Sequence, residues 1–173
     1  MTTLERALAS VAEHEFSNRE GGGLTDDPDD PGGITRFGIS LRFLQSIQPG
    51  ATRQDILDMT WQRASSILEV EFWAKHNYEM MPPDVAIKLF DLAVNLGPRQ
   101  AHILLQRACR AGSEQVEEDG VLGPKTRASV AMAQPHILIA CLRCEAAAVY
   151  RILVAKRPSL AKYLTGWLNR AYS

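Results

Sequence analysis

Apolar residues recur every three or four positions along most of the chain, which is the spacing of helices that bury one face. Leu4, Leu8 and Val11 mark the first such face, and this helix can continue through Phe16 until a run of glycines stops it. Seven further helical segments follow: residues 40–47, a segment that starts at 52, then 60–73, 82–96, 98–111, 124–133 and 136–156, with a last piece near 159–171. Strand signals are nearly absent, and any strands would form a short hairpin within residues 22–40. The pattern predicts a mostly α protein.

Residues that cap helices support the predicted first residues of several of these helices. Thr52 with Asp55 three residues later resembles a capping box, and Thr60 can cap the next helix. Pro82 and Pro83 suit the first turn of the helix that Gly97 closes. In that helix Asp84, Lys88, Asp91 and Asn95 form one polar stripe, which is typical of a solvated face and compatible with the wall of a wet cleft.

Length, composition and charge narrow the class of protein. The chain of 173 residues can build one domain with a sizeable core, and its formal net charge of −1 gives no overall attraction to nucleic acid. We expect a monomer without a nucleic-acid partner, a cofactor or a metal site, because the four histidines show no metal-ligand spacing. Arg143 and Glu145 interrupt the best apolar run, so no membrane-spanning segment is predicted. The acid-free end carries five cations, which we interpret as a solvated basic face rather than a contact with an anionic surface: Arg151, Lys156, Arg157, Lys162 and Arg170.

The segment REGGGLTDDPDDPGGITRFGI, residues 19–39, concentrates the candidate chemistry. It lacks the lysine of a phosphate-binding loop and the ligand spacing of a calcium loop. Cleavage of a carbohydrate needs one carboxyl group as proton donor and a second carboxylate nearby, and Glu20 with Asp29 or Asp30 could provide both. Composition alone favours acidic residues that only make side-chain turns, because acid-rich turns are common.

From Glu20 onward the segment resembles the signature of glycoside hydrolase family 108, whose members are N-acetylmuramidases, often phage endolysins, with a lysozyme-like helical fold. It combines Glu-Gly-Gly, Asp-Pro-x-Asp-x-Gly-Gly and Thr-x-x-Gly-Ile in that order. Glu20, Asp29 and Thr35 also reproduce the Glu-x8-Asp-x5-Thr spacing of phage lysozymes. The resemblance implies Glu20 as general acid, Asp29 or Asp30 as the second carboxylate, and Thr35 as a holder of water.

The resemblance continues downstream. EFWAK at 71–75 and FDLAVNLGP at 90–98 resemble cleft-lining segments of the family, and DGVLGPKT at 119–126 resembles the peptidoglycan-binding module that commonly follows. We therefore expect residues 1–97 to form a lysozyme-like catalytic region and residues 98–173 a helical peptidoglycan-binding region packed against it. The resemblance also implies a role in substrate binding for five residues: Trp73, Asp91, Asn95, Gly120 and Lys125.

Two glutamates compete for the acid role. The apolar spacing of the first helix ends at Glu15, where the family has its catalytic glutamate, whereas the residues that match the signature follow Glu20. We favour Glu20 and keep Glu15 as the alternative.

The resulting hypothesis is an endolysin that cleaves the β-1,4 bond between N-acetylmuramic acid and N-acetylglucosamine. The opening stretch MTTLERALASVAEHE does not read as a signal peptide, so such an enzyme would wait in the host cytoplasm until a holin-type lesion opens the way to the wall. A lytic transglycosylase and a non-catalytic wall-binding or secretion-assisting protein are the alternatives.

Overall fold

The computed structural model of the protein describes residues 1–16, 23–26, 33–111 and 115–173. The predicted class is confirmed: the fold is mostly α and lysozyme-like, with one small antiparallel sheet. In chain order the elements are α1 (Thr3–Phe16), β1 (Thr35–Arg36), β2 (Ile39–Ser40), α2 (Leu41–Ile47), α3 (Arg53–Leu57), α4 (Trp61–Leu68), a π-helical turn (Glu69–Ala74), a 3-10 turn (Tyr78–Met80), α5 (Pro83–Leu96), α6 (Pro98–Ala111), α7 (Pro124–Met132), α8 (Pro135–Lys156), a 3-10 segment (Pro158–Tyr163) and α9 (Leu164–Tyr172).

Helix starts follow the local chemistry that the sequence predicts. The Ser40 hydroxyl accepts from the Phe43 amide at 3.2 Å, and the Thr60 hydroxyl accepts from the Arg63 amide at 3.2 Å. The Thr52 amide donates to Asp55 Oδ2 at 2.9 Å, as in a capping box. Prolines stand in the first turn of α5, α7 and α8, where the missing N–H costs nothing.

The predicted hairpin is a two-residue ladder in which Thr35 pairs with Ser40 and Arg36 with Ile39. Thr25 extends it, because the amides of Thr25 and Thr35 each donate to the other residue's carbonyl at 2.8 Å. Gly38 has φ +77°, and a Cβ there would stand 2.4 Å from Val94 Cγ1. The turn therefore needs glycine both for its backbone angle and for its close approach to α5.

The core is built around α5, α6 and α8, whose inward faces carry fully buried Leu89, Leu104 and Leu142. α5 packs against α1 on one side and α6 on another, α6 packs against α8, and α8 packs against α9. This order brings the last helix of the chain back to the end of the first. Within the described ranges no helix is both long enough and apolar enough to cross a membrane.

Candidate active site

A cavity of about 1370 Å³ opens where the end of α1, the hairpin, the end of α5 and the α8–α9 segment meet. Its lining includes Glu15 from α1, Thr35 from β1 and Asn95 from α5, with Trp167 and Arg170 from α9. The cavity is thus shared between the first half of the chain and its last two helices.

Glu15 is held at the wall of this cavity by the last helix. Arg170 Nη1 lies 3.1 Å from Glu15 Oε1, and Arg170 Nε donates to Asp91 Oδ1 at 2.9 Å. The exposed fractions of the three side chains are 12% for Glu15, 8% for Arg170 and 2% for Asp91. A guanidinium that binds two carboxylates at once fixes the orientation of both, because its donors lie in one rigid plane.

Asp91 is buried behind the cavity wall and holds Arg170 in place. His14 Nδ1 donates to the same Oδ1 atom at 3.1 Å, and Lys88 Nζ lies 4.0 Å from Oδ2 while donating to the Arg170 carbonyl. Burial alone would raise the pKa of Asp91, but Arg170 and His14 outweigh it, so the pKa lies below its usual value. Burial lowers the pKa of Lys88 to about 8 although Asp91 opposes the shift. Asp91 is therefore a buried anion that holds Arg170.

Two further polar groups of the cavity come from the hairpin side. The Thr35 hydroxyl donates to the Gly33 carbonyl at 3.1 Å, which leaves its lone pairs available to an incoming donor. Asp26 lines the same cavity and forms an ion pair with Arg53. Asp26 was not singled out from the sequence, although it belongs to the same acidic run.

An aromatic wall, formed by Tyr150, Tyr163 and Trp167, faces the cavity from α8, the 3-10 segment and α9. The rings of Tyr150 and Trp167 are stacked at 5.3 Å between centroids, and those of Tyr163 and Trp167 lie 5.6 Å apart. Tyr150 donates to Asn95 Oδ1 at 2.7 Å, and its burial raises the pKa of the Tyr150 phenol. Sequence reasoning missed this wall, although the i, i+4 spacing of Tyr163 and Trp167 could have indicated a shared face.

The structure places the predicted site residues as follows. Glu15, Thr35 and Asn95 line the cavity. Glu20, Asp29 and Asp30 lie outside the described residues, so their predicted roles stay predictions.

Four predicted substrate-binding residues lie elsewhere. Trp73 is only 5% exposed and packs edge-on against Tyr78 and Phe90, so it is a core residue. Asp91 is buried and does not line the cavity, and Lys125 is exposed on α7 away from it.

Gly120 is also structural. Its amide donates to Gln106 Oε1 at 2.9 Å, its carbonyl accepts from His102 Nδ1 at 2.9 Å, and a Cβ would stand 2.7 Å from Arg99 Cγ. The Gly120 amide is therefore already used within the fold, and a binding role for this residue stays a prediction.

The basic end matches the predicted solvated face only in part. Lys156, Arg157 and Lys162 are exposed but lie along the cavity, and Arg170 is buried. Among the residues that the structure describes, no group of three or more His, Cys, Asp or Glu is arranged to hold a metal ion.

Comparisons with known proteins agree with this architecture. A family model described as glycosyl hydrolase 108 matches residues 14–97, and one described as a predicted peptidoglycan domain matches residues 100–172. A solved structure of Brucella abortus SagA is similar over 98% of this chain and 90% of that chain, with a TM-score of 0.80 and 27% sequence identity. A search of curated proteins gave no match. The chain therefore carries a glycosyl hydrolase 108 domain over residues 14–97 and a peptidoglycan-binding domain over residues 100–172, and it is a glycoside hydrolase of peptidoglycan.

Proposed function

We propose that the protein hydrolyses the β-1,4 bond between N-acetylmuramic acid and N-acetylglucosamine, with Glu15 as the general acid. The observation that carries this proposal is the position of Glu15, a mostly buried carboxylate held by Arg170 at the wall of a cavity of about 1370 Å³. Glycosidic cleavage needs such a fixed acid beside the leaving oxygen.

The surroundings of Glu15 support its assignment as the acid. Arg170 occupies Oε1, while Oε2 lies 3.2 Å from the point where a Cβ would stand at position 23. Because residue 23 is glycine, that second oxygen keeps space in front of it for a substrate. Glu20 remains the alternative that the signature favours.

A second carboxylate would steady the positive charge that develops on the sugar or orient a water molecule. Asp26 is the described candidate, since it lines the cavity and Arg53 fixes its side chain. Asp29 and Asp30 remain candidates from the sequence. Thr35 would help to hold the water, because its hydroxyl hydrogen is used by Gly33 and its oxygen can accept.

Trp167 and Asn95 supply the remaining groups for a sugar. Aromatic surface suits the apolar side of a pyranose, and the stacked contact with Tyr150 and the tilted contact with Tyr163 fix the orientation of the indole. The Asn95 amide nitrogen, whose partner oxygen is held by Tyr150, can donate to a sugar hydroxyl or N-acetyl group.

The test is clearance of purified sacculi by wild type and by three matched variants: Glu15→Gln, Glu20→Gln and Glu79→Gln. Loss of a general acid slows turnover by roughly 10²–10⁴-fold, so Glu15→Gln should clear walls at least about a hundredfold more slowly. Glu79 is exposed and does not line the cavity, so its variant controls for charge removal. Normal clearance by Glu15→Gln with loss in Glu20→Gln would move the acid to residue 20.

Analysis of the products separates hydrolysis from the two alternative functions. Hydrolysis leaves new reducing sugar ends, whereas a lytic transglycosylase leaves anhydromuramic ends. A wall-binding or secretion-assisting protein would release no new ends of either kind while still binding sacculi. Anhydromuramic ends would therefore refute hydrolysis while leaving the site assignment open to the glutamine variants.

The endolysin role is part of the same proposal and is supported by the wall-degrading domain alone. Expressed in a bacterial cytoplasm, the enzyme should lyse cells only when a holin-type membrane lesion is also provided. Lysis without such a lesion would refute the proposed release route.

A further inference from the structure

We propose that the cationic wall of the cavity, defined as Lys156, Arg157 and Lys162, binds the carboxylates of the peptide stems that branch from the glycan strand. This inference rests on the proposed function, because it assigns to the same cavity a second, charged part of the same substrate. It also gives the last part of the chain a role in choosing which stretches of wall are cut.

The three cations are grouped by the local fold. Lys156 ends α8, Arg157 follows it, and Lys162 lies in the 3-10 segment that leads into α9. All three are exposed and line the cavity, next to the aromatic wall. Lys162 Nζ lies 5.2 Å from the centre of the Tyr163 ring, so charge and aromatic surface adjoin at that point.

The cavity is divided by charge between its structural elements. Its described carboxylates, Glu15 and Asp26, come from α1 and the segment before the hairpin. The cationic wall comes from the α8–α9 segment, and the sequence from residue 146 to residue 173 contains no acid at all. A ligand that spans the cavity therefore meets these cations on different structural elements from those that carry the carboxylates.

The chemistry of peptidoglycan supplies a ligand for such a wall. The glycan of alternating N-acetylated sugars is uncharged where its lactyl groups are linked to stems as amides, so it offers nothing specific to lysine or arginine. The stems carry free carboxylates, which pair with these side chains. Cations beside a glycan cleft therefore match the stems and not the sugar backbone.

The test measures binding, which does not require cleavage. Three soluble probes are compared: glycan strands with intact stems, strands stripped of stems by an amidase and then amidated at the lactyl carboxylates that stripping frees, and strands whose stem carboxylates are converted to amides. Binding to wild type, Lys156→Gln/Lys162→Gln and the control Arg42→Gln/Arg151→Gln is followed by calorimetry at low and high salt. Arg42 and Arg151 are exposed and do not line the cavity, so the control removes the same charge.

Wild type should bind intact strands several-fold to about tenfold more tightly than either carboxylate-free probe, as expected for two or three exposed ion pairs. The Lys156→Gln/Lys162→Gln variant should lose that preference and most of its salt dependence, whereas the control keeps both. Equal binding of all three probes by wild type would overturn the proposal. Equal weakening in the control pair would do the same, since it would show general attraction to net charge.

The two proposals fail separately. Absence of new reducing ends in the sacculus assay would refute hydrolysis without touching the binding preference. Vesicles of anionic phospholipid form a fourth arm, and tighter binding to them than to intact strands would assign the cationic wall to a membrane surface and overturn the stem assignment.

Discussion

His102 should make the folded protein sensitive to mild acid. Its ring is 3% exposed and joins two parts of the structure: Nδ1 lies 2.9 Å from the Gly120 carbonyl and Nε2 lies 2.8 Å from the Tyr78 hydroxyl. A carbonyl can only accept, so Nδ1 carries the hydrogen and Nε2 accepts from Tyr78. Protonation would place a second N–H against that hydroxyl in a buried site.

The magnitude follows from the shift. Burial lowers the pKa of His102 from 6.5 to about 4, although its bond to Gly120 opposes the change. Below pH 6.5 the unfolded chain binds a proton that the folded chain does not, so stability is complete above that pH and is lost as pH falls toward 4. At roughly 1.4 kcal/mol per pKa unit the full loss is about 3 kcal/mol, of which about 2 kcal/mol is reached at pH 5.

The assay compares urea unfolding of wild type and His102→Gln at pH 7.5 and pH 5. The variant loses a ring that satisfies two buried partners, so it should be less stable at pH 7.5 by about 1–3 kcal/mol. Its disadvantage should shrink by about 2 kcal/mol at pH 5, because glutamine does not titrate. His76, whose pKa burial also lowers, is present in both proteins, so its own titration contributes to both. A difference between the two proteins that is the same at both pH values would refute the assignment.

Three other changes test separate parts of the structure. Because burial lowers the pKa of Lys88 to about 8 from 10.5, the unfolding free energy of wild type should rise between pH 8 and 10.5, and a denaturation series on Lys88→Met should lack that rise. Gly38→Ala should lower the free energy of unfolding in urea by roughly 1–3 kcal/mol. Adding Val94→Ala should restore only the share of that loss that comes from the clash, because the positive φ at residue 38 remains. An unchanged midpoint of urea unfolding in Gly38→Ala would contradict the turn geometry. Trp167→Ala should raise KM for soluble peptidoglycan several-fold while leaving kcat nearly unchanged, and a selective loss of kcat would argue against a stacking role.

Features that depend on neighbours in the sequence were predictable. Ser40, Thr52 and Thr60 begin helices because the group that each caps lies three residues away. The order of the helices along the chain and the place of the hairpin were predictable too, because both depend on local patterns of apolar and turn-forming residues. One exception is the stretch after Leu68, where the expected helix continues as a π-helical turn that buries both Phe72 and Trp73.

The polar stripe on α5 shows what periodicity leaves open. Asp84 is exposed and pairs with Arg6, yet Lys88 and Asp91 on the same stripe are buried. Helical spacing says which side chains share a face but not what covers that face. The cover is α9, whose Arg170 reaches Asp91 from 79 residues along the chain.

Aromatic residues were hard to sort for a similar reason. Trp73 and Trp167 both lie among apolar neighbours in helical segments, and only their packing separates a core residue from a residue of the cavity wall. The candidate acid raises the same difficulty, since the partner of Glu15 comes from 155 residues away.

The position of Arg170 limits how this enzyme can be recombined. Designers often treat lytic enzymes as a cutting unit joined to an exchangeable targeting unit. Here the helix that would be discarded with the targeting unit carries the guanidinium that binds Glu15 and Asp91. A chimera that fuses residues 1–97 to a foreign wall-binding domain would lose that support, so any exchange of specificity has to be made within α8 and α9 while Arg170 stays in place.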